Sequence, residues 1–309
     1  ESILLAAGYR VGCYTSPHLL RYNERIRIDG READDHTICD AFQRVDQARD
    51  GVSLTYFEFA TLAALEIFAG AALDVIILEV GLGGRLDAVN ILDPDVSLIT
   101  TVDIDHTEWL GTSREEIALE KAGILRAGRP GVFGGDDPPA ALLQRASELD
   151  VDLCMPGVDF TFKRHPGHWE WNGRDAAHSR LPNPVSNGEF MFRNAAAVLM
   201  VLELLRERLP VSSDAIGAGI RDLRIPGRFQ VIPGPVSIIL DVAHNPEAAR
   251  ELAANLSRTP CAGRTLALFS ALADKDLSGL VLTQISLKGM KRYGLGGKHS
   301  CYADYAARG

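Results

Sequence analysis

The chain has 309 residues, of which 46% are hydrophobic and 24% are charged, as in an ordinary globular protein and unlike a collagen, a coiled coil or a disordered chain. This length predicts about two domains. The 41 acidic residues outnumber the 32 basic residues, and the formal net charge of −9 excludes a global attraction for nucleic acid or for anionic membranes.

The 5 cysteines are scattered and contain no C-x-x-C pair, so they indicate neither a disulfide framework nor a zinc site and favour a reducing compartment. No apolar run approaches the ~18 residues that a membrane-spanning helix requires. The first residues show no signal-peptide pattern. These features predict a cytoplasmic protein that has no membrane partner.

Short apolar runs alternate with helical patterns along the chain, which predicts an α/β fold with a parallel sheet. Two of the helices begin with capping boxes, T-Y-F-E and S-R-E-E, and the run V-I-I-L is typical of a strand buried on both faces. The predicted elements, in chain order, are strand 9–14, helix 55–69, strands 75–78 and 96–100, helix 113–125, an antiparallel ribbon or loop at 151–184, helix 194–208, strand 236–240, helix 246–256 and strand 265–269.

A new unit begins near Pro226, which predicts one domain at 1–225 and a smaller Rossmann-like α/β domain at 226–309. The first residues resemble the second half of a helix that ends at Gly8. After Leu280 the pattern decays into a stretch rich in lysine and glycine. We therefore expect that sequence is missing before Glu1 and that the second domain is incomplete.

Three polar clusters follow predicted elements: T-S-P-H at 15–18, E-V-G-L-G-G-R-L-D-A at 79–88, and D-I-D-H-T at 103–107. Ligands of open parallel sheets gather beyond the carboxyl ends of the strands. Oxygen ligands with one imidazole suit magnesium and phosphates better than zinc. The glycine loop does not fit the dinucleotide fingerprint, because Leu86 stands where glycine or alanine is needed and Glu79 would repel a pyrophosphate.

Seven segments appear in one order: Y-T-S-P-H-L (14–19), N-E-R-I (23–26), the 79–90 segment, D-H-T (105–107), E-K-A-G-I (120–124), P-G-R-F-Q (226–230) and D-V-A-H-N-P (241–246). Over residues 1–280 the sequence resembles the folylpolyglutamate synthases, in particular the bacterial enzymes that are also dihydrofolate synthases, within the Mur ligase superfamily. The resemblance implies a parallel-sheet ATPase domain followed by a glutamate-ligase domain, and a monomer that binds only small molecules.

The resemblance also implies the reaction. ATP phosphorylates a carboxylate of dihydropteroate or of a folate, and the amine of L-glutamate attacks the acyl phosphate, with Mg²⁺ neutralising phosphoryl charge. By the family pattern Ser16, Glu79 and His106 match magnesium ligands, and Lys121 matches a lysine that becomes a carbamate and holds a second magnesium. Glu79, His106 and Lys121 are thus the expected catalytic residues. Without the resemblance, Lys121 would be interpreted as a surface lysine.

The same pattern assigns Asn194, Arg228, Asp241 and His244 to ATP. The expected pterin-binding residues come from two segments: Thr55, Tyr56, Phe57 and Glu58, and Leu86, Asp87 and Ala88. For Thr55 and Glu58, the capping box is a competing explanation. For His244, a plain loop histidine is equally compatible with the sequence.

The family's phosphate loop is absent from the sequence, so we expect the chain as given to be inactive. Three alternatives remain: a cell-wall Mur ligase, a folded but inactive fragment, and a metal-dependent hydrolase built on Asp103, Asp105 and His106. The segments at 55–58 and 86–88 favour the folate enzyme over the cell-wall ligase.

Overall fold

The computed structural model describes residues 1–184, 188–244, 246–259, 261, 263, 265–270, 291–294 and 300–305. The chain forms two compact units. Unit 1 comprises Glu1–Val185 and Phe192–Leu223, and unit 2 comprises Ser186–Met191 and Arg224–Gly309. Within the described residues, no helix combines the length and the apolar character needed to cross a lipid bilayer.

The helices within the described residues are α1 (Ser2–Ala6), α2 (Asp35–Ala48), α3 (Tyr56–Ala69), α4 (Thr107–Leu110), α5 (Arg114–Ala122), α6 (Ala140–Glu148), α7 (Glu189–Leu204), α8 (Ser213–Arg221) and α9 (Pro246–Ser257), with 3-10 turns at Tyr22–Arg25 and Ala88–Ile91. The strands are β1 (Val11–Tyr14), β2 (Ile26–Ile28), β3 (Arg31–Glu32), β4 (Val75–Leu78), β5 (Ser97–Ile99), β6 (Gly131–Phe133), β7 (Leu153–Cys154), β8 (Thr161–His165), β9 (His168–Asn172), β10 (Ala177–Pro182), β11 (Gln230–Ile232), β12 (Ile238–Leu240), β13 (Thr265–Ser270), β14 (Lys291–Gly294) and β15 (Ser300–Tyr305).

Local capping determines where α3 and α5 begin, as the sequence predicts. At α3 the Thr55 hydroxyl accepts the Glu58 N–H at 3.2 Å, and the Glu58 carboxylate accepts the Thr55 N–H at 2.7 Å. Ser113 caps α5 in the same way. These reciprocal bonds satisfy N–H groups that the first turn leaves without partners.

The bounds predicted for the long helix are wrong. Helix α7 begins at Glu189 and ends at Leu204 instead of covering 194–208. Its first turns contain Met191 and Phe192, both buried, so burial of this apolar segment extends the helix toward the N-terminus. At the other end, the N–H of Arg206 bonds to the Glu203 carbonyl, three residues back, and closes a turn.

The described part of unit 1 contains three sheets. The first has the order β3-β2-β1-β4, in which β1 and β4 are parallel and the other pairs are antiparallel. The second is the parallel sheet β5-β6-β7, and the third is the antiparallel ribbon β10-β9-β8, within the predicted segment 151–184.

The prediction that strand 75–78 is buried on both faces is wrong. Ile76 is 42% exposed, and the other three residues of β4 are half-buried. Within the described residues β4 lies at the edge of its sheet, next to β1 only, and an edge strand has fewer neighbours that could cover its side chains.

Three apolar clusters, formed by residues that the structure describes, hold unit 1 together. One packs α1, α7 and α8 against the strands and the ribbon, and its largest members are Trp169 and Trp171. The second packs α2 and α3 on β1, and the third packs α5 and α6 on β5 and β6. Helices α2, α6 and α8 were not predicted, although Asp34 and Ser212 cap two of them.

In unit 2, β11 and β12 form an antiparallel hairpin, α9 follows, and β13, β15 and β14 form an antiparallel sheet. The predicted strand 236–240 is shorter, at Ile238–Leu240, and its partner β11 was not predicted. The predicted helix 246–256 is observed as Pro246–Ser257. Asn245, which precedes this helix and whose residue type favours the N-cap position, lies outside the described residues.

Candidate active site

The parallel pairing of β1 with β4 brings two of the predicted metal ligands together. Tyr14 is the register partner of Leu78, and the next residue, Glu79, donates its backbone N–H to the Tyr14 carbonyl at 2.9 Å. The Glu79 carboxylate then accepts the backbone N–H of Ser16 at 2.8 Å. Residues that are 63 positions apart in sequence thus meet at the carboxyl ends of two strands.

The glycine loop that follows Glu79 packs directly on the C-terminal end of α5. A Cβ at Gly84 would lie 2.8 Å from the Glu120 carbonyl oxygen, and a Cβ at Gly123 would lie 2.4 Å from the Arg85 Cα. The Arg85 N–H donates to the Glu120 carbonyl at 2.8 Å, and its guanidinium pairs with the Glu120 carboxylate at 2.9 Å. Glycine is therefore required at this close approach of two backbones.

Asp87 closes the loop through three backbone hydrogen bonds. Its carboxylate accepts the N–H groups of Gly81 at 3.0 Å, Leu82 at 2.9 Å and Val89 at 3.0 Å. This carboxylate caps the 3-10 turn at Ala88–Ile91 and fixes the shape of the loop. The assignment of Asp87 to substrate thus competes with a clear structural role.

Four of the predicted substrate residues line one cavity of about 400 Å³: Glu58, Leu86, Asp87 and Ala88. This volume is within the range of small-molecule sites. The other six lining residues were not predicted from the sequence: Leu54, Thr61, Leu62, Arg85, Asn90 and Ile91. Helical spacing could have identified two of them, because Thr61 and Leu62 share a face of α3 with Glu58.

The remaining residues of the predicted T-Y-F-E segment do not line this cavity. Tyr56 is 64% exposed, and the Arg25 guanidinium lies 5.6 Å from the centre of its ring. Phe57 faces the ring of Tyr14 at 6.0 Å. Thr55 is the N-cap of α3, so its capping explanation is confirmed.

Lys121 lies near the C-terminal end of α5 and is not an exposed surface lysine. Burial lowers the pKa of its amine, and the nearby Asp105 carboxylate opposes that shift. A depressed pKa increases the neutral amine, which is the form that can react as a nucleophile. The environment thus fits the chemistry that a carbamate requires.

His106 precedes α4 in a left-handed conformation with φ of 51°, which is uncommon for a residue other than glycine. Its backbone N–H donates to the Asp105 carboxylate at 2.8 Å, and its Nε2 atom lies 3.9 Å from the other Asp105 oxygen. Within the described residues, Asp103, Asp105 and His106 do not form a group of three converging ligand atoms, which argues against the hydrolase alternative.

The residues assigned to ATP are divided between the two units. Asn194 lies on α7 in unit 1, whereas Arg228, Asp241 and His244 lie in unit 2. The Asp241 carboxylate accepts the N–H of Phe229 at 2.8 Å, so Asp241 and the loop of Arg228 are adjacent.

The same carboxylate accepts the N–H of Ala243 at 2.8 Å, and the Nδ1 atom of His244 lies 3.0 Å from the Val242 carbonyl oxygen. A structural role is therefore present for Asp241, as it is for Asp87.

Comparison with known proteins gives one consistent result. Residues 227–293 match the family model "Mur ligase, glutamate ligase domain". The dihydrofolate synthase/folylpolyglutamate synthase of Escherichia coli K12 is 44% identical over 279 residues, which are 90% of this chain and 65% of that protein. The chain thus spans somewhat less than two thirds of this relative's length.

Solved structures agree. E. coli FolC in complex with DHPP and ADP superposes with a TM-score of 0.89 at 41% identity, covering 97% of this chain and 71% of that one. A bifunctional folylpolyglutamate synthase/dihydrofolate synthase with Mn, AMPPNP and L-glutamate bound superposes with a TM-score of 0.88 at 44% identity, covering 97% of this chain and 72% of that one. The predicted resemblance and the predicted fold class are confirmed.

Proposed function

The chain belongs to the dihydrofolate synthase/folylpolyglutamate synthase family. From this premise we propose that it forms part of an ATP-dependent ligase that joins L-glutamate to dihydropteroate or to a folate. The contact between Ser16 and Glu79 is the observation that carries the proposal. It places a hydroxyl-bearing residue and a carboxylate at the carboxyl ends of parallel strands, where open α/β sheets bind ligands.

The donor set fits magnesium. Ser16 and Glu79 offer hard oxygen atoms, and His106 is proposed as the third ligand. Bound Mg²⁺ would neutralise charge on the phosphoryl group that ATP transfers to the substrate carboxylate. The structure of a relative with Mn and AMPPNP bound supports a divalent metal ion as the cofactor.

The chemistry to be supported is amide formation through an acyl phosphate. The carboxylate oxygen takes the γ-phosphoryl group and ADP leaves, and the glutamate amine then attacks the acyl carbon and expels phosphate. We propose that Lys121 acts as a carbamate: its neutral amine adds to carbon dioxide and loses a proton. The product is an anion that could hold a second magnesium. The lowered pKa of Lys121 supports this step.

For the substrate, we propose that the pterin ring occupies the cavity of about 400 Å³ in unit 1. Leu86 and Ala88 supply apolar contact, and Glu58 supplies a carboxylate for ring N–H groups. Thr55 caps the start of α3, and direct contact of Thr55, Tyr56 and Phe57 with the substrate remains a prediction. Asp87 is proposed to shape the loop as well as to face the ligand.

We assign ATP to Asn194 and to the Arg228, Asp241 and His244 segment, and we propose a central ATP- and folate-binding domain at 1–225 and a glutamate-ligase domain at 226–309. The family match at 227–293 supports the second domain. We further propose a cytoplasmic monomer that binds small molecules, and the free state of Cys13, Cys39, Cys154 and Cys261 fits a reducing compartment.

The test is ATP-dependent incorporation of labelled glutamate into dihydropteroate or a reduced folate by the product of the complete reading frame. Glu79→Gln should abolish incorporation at saturating magnesium while leaving the fold intact, because a neutral amide is a weak ligand. Glu66→Gln is the matched control, since the Glu66 carboxylate pairs with Arg44 at 2.7 Å on the surface. Normal incorporation by Glu79→Gln would overturn the assignment.

A further inference from the structure

The hairpin of β8 and β9 carries a cluster of metal-binding side chains remote in sequence from every residue assigned to the ligase reaction. His165, His168 and Glu170 each offer one ligand atom, and these atoms lie within 4.8 Å of one another. In the part of the chain that the structure describes, no other group of three histidine, cysteine or acidic residues converges in this way.

The register of the hairpin explains the cluster. His165 is the cross-strand partner of His168, and the two flank the two-residue turn Pro166–Gly167. Their rings stack with centroids 4.8 Å apart and planes at 11°. Glu170 follows His168 by two positions, so it lies on the same face of the strand. All three side chains therefore project from one face of the hairpin.

The opposite face of the hairpin is held in the core. Trp169 and Trp171 alternate with the cluster residues on β9 and are buried. Their indole N–H groups donate to the carbonyl oxygens of Pro182 at 2.9 Å and Ala196 at 3.0 Å. The backbone beneath the cluster is thus fixed before any ligand binds, which reduces the entropy lost on binding.

The distances suit a tetrahedral ion. The Nε2 atom of His165 lies 3.1 Å from a Glu170 carboxylate oxygen, yet it is buried and has no hydrogen-bond partner. Two ligands bound at about 2.0–2.1 Å in a tetrahedral site are separated by roughly 3.3 Å. The pair therefore already has nearly the spacing of two ligands on one ion, and His168 can complete a set of three.

We propose that His165, His168 and Glu170 form a binding site for a divalent transition-metal ion of the zinc class, with one position left to water. Two imidazoles and one carboxylate are the ligands that Zn²⁺ and its neighbours favour, whereas Mg²⁺ prefers oxygen atoms. The site is independent of the proposed ligase reaction. It clamps the end of the β8–β9 hairpin by joining the two strands at the turn.

The test is a Zn²⁺ titration of metal-free, untagged protein, with Co²⁺ as a spectroscopic probe of ligand type. We expect one tight equivalent, whose affinity falls by about tenfold or more in His165→Asn and in His168→Asn. His36→Asn is the matched control, because His36 also has a carboxylate, that of Asp40, at 3.1 Å but belongs to no group of three. This variant should bind zinc as the parent chain does.

Two readouts keep the result decisive. Tryptophan emission reports whether a variant has kept the hairpin, because two of the three tryptophans, Trp169 and Trp171, are buried on the opposite face of β9. X-ray absorption of zinc on the unmutated protein counts the imidazole ligands directly and needs no variant. Fewer than two imidazoles on the bound zinc, equal binding by the His168→Asn and His36→Asn variants, or no tight equivalent would each overturn the site.

Discussion

Gly123→Ala tests whether the glycine loop is positioned by direct backbone contact with α5. Gly123 has φ of −61° and ψ of −12°, which alanine adopts freely, so any effect must come from contact and not from backbone strain. The new Cβ would lie 2.4 Å from both Cα and Cβ of Arg85. Carbon atoms pack at about 3.5–4.0 Å, so the loop must move away by about 1 Å or more.

The expected loss of stability is about 2 kcal/mol. Overpacking of this kind typically costs about 1–3 kcal/mol. Weakening the bond from the Arg85 N–H to the Glu120 carbonyl adds about 1 kcal/mol. The lower entropy of the unfolded alanine chain offsets about 0.4–1 kcal/mol.

The assay is urea unfolding followed by tryptophan emission. All 3 tryptophans, Trp109, Trp169 and Trp171, lie in unit 1, so the transition reports that unit. Gly70→Ala is the control: Gly70 ends α3 with φ of −81°, and its nearest contact would be 3.6 Å away. We expect this control to match or slightly exceed the parent stability.

Equal urea midpoints for Gly123→Ala and Gly70→Ala would refute the close packing of the loop on α5. A fall in stability of Gly123→Ala should be accompanied by weaker binding of the proposed folate substrate, because Arg85 lines the cavity and must move with the loop.

Two further outcomes are expected. Lys121→Met should raise the stability of the protein at neutral pH in buffer free of carbon dioxide, because burial lowers the pKa of Lys121 and disfavours its charged form. The stability gained by Lys121→Met should shrink as the pH rises through the lowered pKa of Lys121 toward the ordinary value of 10.5. A gain in stability that does not depend on pH would contradict the lowered pKa. Asp241→Ala should destabilise unit 2 by about 1–3 kcal/mol and accelerate hydrogen exchange at the Phe229 and Ala243 amides, while Asp241→Asn retains most of the protection. Unchanged exchange with weaker nucleotide binding would instead assign Asp241 to ATP alone.

Local sequence signals determined much of the secondary structure. The capping boxes at Thr55 and Ser113 position α3 and α5 because each is a set of hydrogen bonds within four consecutive residues. The alternation of short apolar strands and helices also determined the α/β class. The missed helices α2, α6 and α8 have apolar faces whose burial depends on partners that are distant in the chain.

Sequence motifs identified the candidate residues but not their environments. Only the parallel register of β1 and β4 places Glu79 at the backbone of Ser16, because pairing between strands about 60 residues apart is a tertiary event. Similarly, only packing shows that Lys121 is half-buried, since a lysine on a helix has the same sequence pattern whether it faces solvent or the interior.

For the cluster of His165, His168 and Glu170, too, the sequence determines one part of the geometry and the tertiary structure determines the rest. Strand alternation already puts His168 and Glu170 on one face, which the sequence alone determines. The pairing of His165 with His168 follows from hairpin formation, and the burial of Trp169 on the opposite face decides which side meets solvent. Sequence sets which side chains alternate, and tertiary packing sets which of them converge, because convergence requires contacts that no local segment contains.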